Sequence, residues 1–182
     1  MSLTRVILLL LVSATSACMT YHDAEISASN QGKQCNFQMG ALFDNHPDYL
    51  SRDKENTPIA RISRLFGNYN EDIVAVSMTE IDGRSLMVRF YGDEKKEIGV
   101  VKLIKGEKYE SDGTRITLNN WSSCKPGEAG AGCTWSHVEL SCTQENELAV
   151  KEVRHGAGMI ALVVPIVTSG SYLAIYKRLP SE

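Results

Sequence analysis

From Ile73 onward, apolar and polar positions alternate with a period of two, the pattern of strands buried on one face. Asp72 to Ile81 is rich in Val, Met and Ile, and Asp82-Gly83 is a two-residue hairpin signal. Ser85 to Tyr91 follows, with Leu86, Val88 and Phe90 on one side and Arg89 on the other. Gly92-Asp93 and the charged run Glu94-Lys95-Lys96-Glu97 make the next turn, before a strand from Ile98 to Ile104. Asp112-Gly113 marks a turn ahead of Thr114 to Leu118. Thr134 to Cys142 places Val138, Leu140 and Cys142 on one face and His137 and Glu139 on the other. Glu147 to Arg154 pairs with it across Gln144-Glu145-Asn146. Strands at this spacing predict a mainly β domain, an antiparallel meander forming a small barrel or sandwich. No solenoid repeat is visible.

Ahead of the strands, Phe37 to Glu55 has no clear period and reads as loops. Thr57-Pro58 then opens a short N-terminal helix, with Thr57 as N-cap, Pro58 at the first helical position and Gly67 as the stop. Ile59, Ile62, Leu65 and Phe66 share one face of it, which is expected to cover an end or face of the sheet. At the other end, Gly156 to Tyr176 runs 21 residues without a charge. A transmembrane helix is one reading. Gly156, Gly158, Pro165 and Thr168-Ser169-Gly170-Ser171 favour a buried hairpin instead. Its strands would be Met159 to Val167, apolar on both faces and covered on both, and Tyr172 to Lys177. Ser169-Gly170 would make the turn, with Pro165 at an edge or bulge.

The N-terminus reads as an export signal: Arg5, an apolar run Val6 to Val12, then Ser13-Ala14-Thr15-Ser16-Ala17-Cys18. The run is too short to span a bilayer, which takes about 20 apolar residues. The small residues ending in Cys18 resemble the lipobox of bacterial lipoproteins, although Thr15 stands where that family most often has Leu. The resemblance is confined to this segment. It implies that Cys18 is lipidated, becomes the mature N-terminus and carries several acyl chains. It also implies the cell envelope, and Met19 in place of Asp looks like an outer-membrane address facing the periplasm. Ordinary cleavage after Ala17, releasing a soluble protein, is the alternative. The expected organisation is a signal peptide over 1–17, a lipidated flexible tether over 18–34 and one β-rich domain over 35–182.

Cleavage would remove Arg5 and no acidic residue, leaving 18 basic against 22 acidic residues, a charge of −4. That gives no electrostatic footprint for nucleic acid and no polybasic membrane patch, so the lipid must supply the anchoring. Four further cysteines in an exported chain favour two disulfides. Cys133 and Cys142 end one strand about 30 Å apart at roughly 3.3 Å per residue, too far for a bridge. Cys124 with Cys133, closing the loop Lys125 to Gly132, and Cys35 with Cys142 is the preferred scheme. Cys35 with Cys133 and Cys124 with Cys142 is the other. A metal site from Cys124, Cys133 and Cys142 lacks any C-x-x-C spacing.

Candidate chemistry is sparse. Asp44-Asn45-His46-Pro47-Asp48 could hold a divalent ion, but reads better as an Asx turn ahead of Pro47. Ser51-Arg52-Asp53-Lys54 fits S-x-x-K without its companion motifs, and His155-Gly156-Ala157-Gly158 has no G-x-S-x-G turn to serve, so it reads as a Gly-rich bend between strands. There is no P-loop and no G-x-G-x-x-G, and no cofactor is expected. Trp121 and Trp135 flank the Cys124–Cys133 segment as a possible stacking platform, with ordinary packing preferred. His22 is placed in the tether and His137 on a polar strand face. The sequence therefore predicts a non-enzymatic envelope lipoprotein that binds a partner or supports assembly. Two rivals stand beside it. One is a β-barrel holding a small apolar ligand or lipid, lined by residues such as Val101, Leu103 and Val138. The other is an envelope hydrolase whose triad is not visible in sequence.

Overall fold

A computed structural model describes residues 17–22, 37, 40–51, 58–118, 122–127, 130–160 and 164–180. The chain is mainly β, in two sheets, and neither closes into a barrel, which removes the barrel form of the expected fold. The smaller sheet has the order β2-β4-β5-β6, built from β2 (Ala41–Asp44), β4 (Ala75–Ile81), β5 (Ser85–Tyr91) and β6 (Glu97–Ile104). The larger holds β1 (Ala17–His22), β3 (Tyr49–Leu50), β7 (Tyr109–Ser111), β8 (Ile116–Leu118), β9 (Ser122–Gly127), β10 (Gly130–Cys142), β11 (Leu148–Ile160) and β12 (Val164–Tyr176). Its main path runs β1-β12-β11-β10-β8-β7, with β3 added on β12 and β9 on β10. All pairings are antiparallel except β1 with β12.

Alternation explains the core. Val76 and Met78 of β4, Leu86, Val88 and Phe90 of β5, and Phe43 of β2 bury against Ile116, Leu118, Val138, Leu140, Leu148, Val150, Ala174 and Tyr176 of the larger sheet. Val138 lies inside this cluster and Val101 and Leu103 pack against it. Asp82-Gly83 turns the chain as expected, both residues having positive φ, but Ile81 pairs with Ser85, so the hairpin loop holds three residues, Asp82 to Arg84, rather than two. At Asp112-Gly113, the carboxylate accepts from the Thr114 hydroxyl, the Thr114 N–H and the Arg115 N–H. Those bonds hold the Asp112 carboxyl down at about 2.

Three expectations are corrected. The helix expected from Thr57 to Gly67 is a 3-10 turn at Pro58–Ala60 and a single turn of α-helix, α1 (Ile62–Leu65); Thr57 lies outside the described residues. Arg61 between them is extended, at φ −149° and ψ 134°. The cause is Asn45, directly after β2. Its carbonyl accepts from the Ile62 N–H and its Oδ1 from the Ser63 N–H. These two contacts start α1 at Ile62 and leave no room for a run through Arg61. Asn45 also donates its own N–H to Val74 and its Nδ2 to Ile73. Gly67 ends the turn at positive φ, and Ile59 and Ile62 are buried as expected. The Tyr176 hydroxyl donates to the Ile59 carbonyl, and burial pushes that phenol up.

The second correction concerns Gly156 to Tyr176, where Ser169-Gly170 is not a turn. It lies mid-strand in β12, Ser169 opposite His155 and Gly170 opposite Arg154. β11 ends at Ile160 and β12 begins at Val164. Met159 and Pro165 therefore face each other across the ladder, and no helix among the described residues is long and apolar enough to cross a membrane. The third correction is that this segment is not covered on both faces, since Met159 and Val167 are exposed. Residues 17–22, assigned by sequence to the end of the leader and the start of the tether, form β1. Residues 1–16 and 23–36 lie outside the described set.

Asn45→Ala strips partners from the buried Ser63 N–H and Ile73 carbonyl. Each orphaned group costs about 1–3 kcal/mol. Urea unfolding is expected to show a loss of about 3 kcal/mol with an unchanged m-value.

Candidate binding surfaces

The register of β10, β11 and β12 brings together residues that sequence left scattered. Trp135, His155 and Ser169 stand in one row across the three strands, and His137, Val153 and Ser171 in the next. Directly opposed residues share a face of an antiparallel pair, so this is one surface. Trp135 stacks on His155 at 5.8 Å between centroids, and His137 on His155 at 6.5 Å. The Ser169 hydroxyl is 3.4 Å from His155 Nδ1. Glu139, one row on, lies 3.6 Å from His137 Nε2 and 3.3 Å from Arg115.

Chemically this is an aromatic–imidazole surface on a sheet, not a catalytic cleft. Ser169 sits in β12, which is paired on both sides there, by β11 and β1. Its neighbouring backbone N–H groups therefore belong to ladders and cannot form an oxyanion hole. Glu139 contacts His137, whereas the histidine beside Ser169 is His155, so these described residues do not line up as a triad.

The opposite face holds a charge pair that the sequence reading missed. Glu152 is 1% exposed, and Arg154 grips both its oxygens at 2.7 and 3.0 Å. The guanidinium lies over the Tyr172 ring, 5.0 Å from its centroid. The signal was available: Leu148, Val150, Glu152 and Arg154 share one parity, so an inward Leu148 puts the charges inward as well.

The other singled-out residues have structural roles. Cys124 and Cys133 are bridged and stand directly opposite each other in β9 and β10. The expected loop from Lys125 to Gly132 is instead mostly strand, because β9 runs to Gly127 and β10 starts at Gly130. This pairing removes the alternative disulfide scheme. Cys142 is also disulfide-bonded, and the expected Cys35–Cys142 bridge falls outside the described residues, as does Trp121. Asp44 accepts from the His46 N–H in an Asx turn, and among the described residues no three His, Cys, Asp or Glu side chains converge as a metal site. Ser51 anchors β12, exchanging hydrogen bonds with the Leu173 backbone through its own N–H and hydroxyl. His155 to Gly158 is straight strand rather than a bend. A Cβ at Gly156 would meet Thr168 Oγ1 at 2.5 Å, which is why this strand position is glycine.

A second surface lies on the smaller sheet. β6 is its edge strand and, among the described residues, pairs only with β5. Ile98, Val100, Lys102 and Ile104 are exposed along it, while Val101 and Leu103 turn toward the core. The backbone groups of β6 that point away from β5, beside exposed β-branched side chains, form a template for a further strand.

Comparison with protein-family models, with characterised proteins and with solved structures finds no match to this chain.

Gly156→Ala is expected to lower stability by about 1–3 kcal/mol through overpacking. Adding Thr168→Ala removes the opposing oxygen and recovers most of that loss, a coupling that a double-mutant cycle in urea measures directly.

Proposed function

We propose that this chain is a non-enzymatic lipoprotein of the bacterial envelope, anchored through Cys18 and facing the periplasm. It takes an extended segment of a partner protein onto the edge of β6. The observation that carries this reading is the open edge itself, with Ile98, Val100 and Ile104 between 40% and 53% exposed. Soluble proteins commonly blunt such edges with charge, proline or a covering element. Here the outward positions carry one charge, Lys102, while Glu97 is held by Arg89 of β5 at 2.9 Å. Main-chain bonds to β6 would give affinity, and the apolar side chains would give selectivity.

The oxidised Cys124–Cys133 bridge supports an exported chain. Binding is favoured over hydrolysis because Ser169 and His155 meet on a sheet surface without oxyanion donors. A barrel-held lipid finds less support, because Val138 lies in the packed core and Val101 and Leu103 pack against it.

The test combines two readouts in the native membrane. Intact mass should show acyl groups on Cys18. A photoreactive residue at position 100 should capture one discrete envelope protein. With Ile98→Lys and Ile104→Lys that capture should fall roughly tenfold, as expected when charges enter an apolar interface. An unacylated mass would remove the anchor, and capture insensitive to the two lysines would remove the edge.

A further inference from the structure

At one end of the larger sheet the three long strands β10, β11 and β12 carry no charge, and Lys125 of the added strand β9 lies opposite Gly132, on the register of the face away from Trp135. No residue of Gly130 to Ser136, Gly156 to Ile160 or Val164 to Ser171 is acidic or basic. Register orders this end into rows. Ala131, Met159 and Pro165 are nearest the β11–β12 connection, followed two positions on by Cys133, Ala157 and Val167, and then by Trp135, His155 and Ser169. On the face of Trp135 the exposed residues are Met159 at 43%, Val167 at 52%, Trp135 at 43%, and Ala157. The reverse face holds Thr134, Gly156 and Thr168, then Gly132, Gly158 and Ile166, and nearest the connection the register positions Gly130, Ile160 and Val164. The Trp135 face is thus the one on which large apolar side chains stand exposed, whereas Ile166 on the reverse is half-buried.

β1 says what covers the apolar side. It runs beside β12 in parallel, and its register places Cys18 opposite Val167, in the row that holds Ala157 and the bridged Cys133. The residue proposed to carry the acyl chains thus lies within this end of the sheet rather than on a remote leash. We propose that the face bearing Met159, Ala157, Val167 and Trp135 rests on a lipid surface, drawn there by acyl chains on Cys18. This rests on the acylation proposed above.

The face lies in the interface and does not cross the bilayer. Immersing an open sheet would strand the unpaired backbone groups of its edges in hydrocarbon. From Met159 to Trp135 the apolar rows span four residues, about 13 Å along the strands. Trp135 closes the band within the first titratable row, opposite His155, where an indole suits the headgroup level. The rows of this face in β10, β11 and β12 carry no Lys or Arg to attract anionic lipid, so zwitterionic lipid should suffice.

The test uses the full chain purified from membranes and placed in dioleoylphosphatidylcholine vesicles, with and without bromine on the acyl chains. Trp121→Phe leaves Trp135 as the only tryptophan. The account expects Trp135 emission to shift to shorter wavelength and to be quenched by the brominated chains. In a Met159→Asp, Val167→Asp form, both effects should be lost, while intact mass still shows acylation and the vesicles still retain the protein. Both substitutions are at exposed positions, and formation of the Cys124–Cys133 bridge serves as the check on folding. Trp135 unquenched in an acylated, vesicle-bound protein overturns the inference. So does quenching that survives both aspartates, or burial of the face in a contact between two copies. A mass without acyl groups overturns the anchor first, and this inference with it.

Discussion

The uninterrupted pairing of β11 with β10 on one side and β12 on the other is the constraint on which everything else depends. All three strands have thirteen residues, and their registers run from Cys142, Leu148 and Tyr176 to Gly130, Ile160 and Val164 without a shift. A period of two along such a ladder fixes two faces over about 40 Å. At one end the inward positions are Val138, Leu140, Leu148, Val150, Ala174 and Tyr176, which build the core with the smaller sheet. Beyond them the same parity brings Glu152 and Arg154 inward, where they neutralise each other against Tyr172. Past that pair β10, β11 and β12 carry no charge, and Trp135, Met159 and Val167 stand exposed on one face.

Much of this was legible in local sequence, and the misses share a cause. Ser85 to Tyr91 and Thr134 to Cys142 were readable because one face is buried and the other wet, so alternation is strong. Asp82-Gly83 was readable because two positive φ values in succession demand such residues. Ser169-Gly170 misled because serine and glycine ordinarily mark turns, whereas here they lie inside a central strand. Gly156 is small because Thr168 approaches from the neighbouring strand, a contact between residues twelve apart that no local rule describes. The helix failed for a similar reason: its start is set by Asn45, eighteen positions before Ser63. Cysteine count and strand spacing narrowed the disulfides, and direct opposition in β9 and β10 decided Cys124 with Cys133.

The candidate surfaces were less legible than the fold. Trp135, His137 and His155 were visible as residues, but only register puts them in contact, and only the pairing of β12 on both sides shows that the backbone around Ser169 belongs to ladders. The β6 edge was read as a strand without any indication that it ends its sheet. Position in a sheet is a property of long-range pairing, and alternation carries no information about it. The strand that holds Cys18 and the exposed face of Met159, Val167 and Trp135 lie on one sheet, and the open edge of β6 lies on the other.

Amide hydrogen exchange along β12 tests the central claim most directly. If the ladder is continuous, the amides from Ile166 to Tyr172, including those of Ser169 and Gly170, exchange slowly and as one block with their partners in β11. Rapid exchange confined to Ser169 and Gly170, with protection on either side, would mean that the chain turns there. In that case the long sheet, its charge pair and its exposed apolar face would not exist in this form.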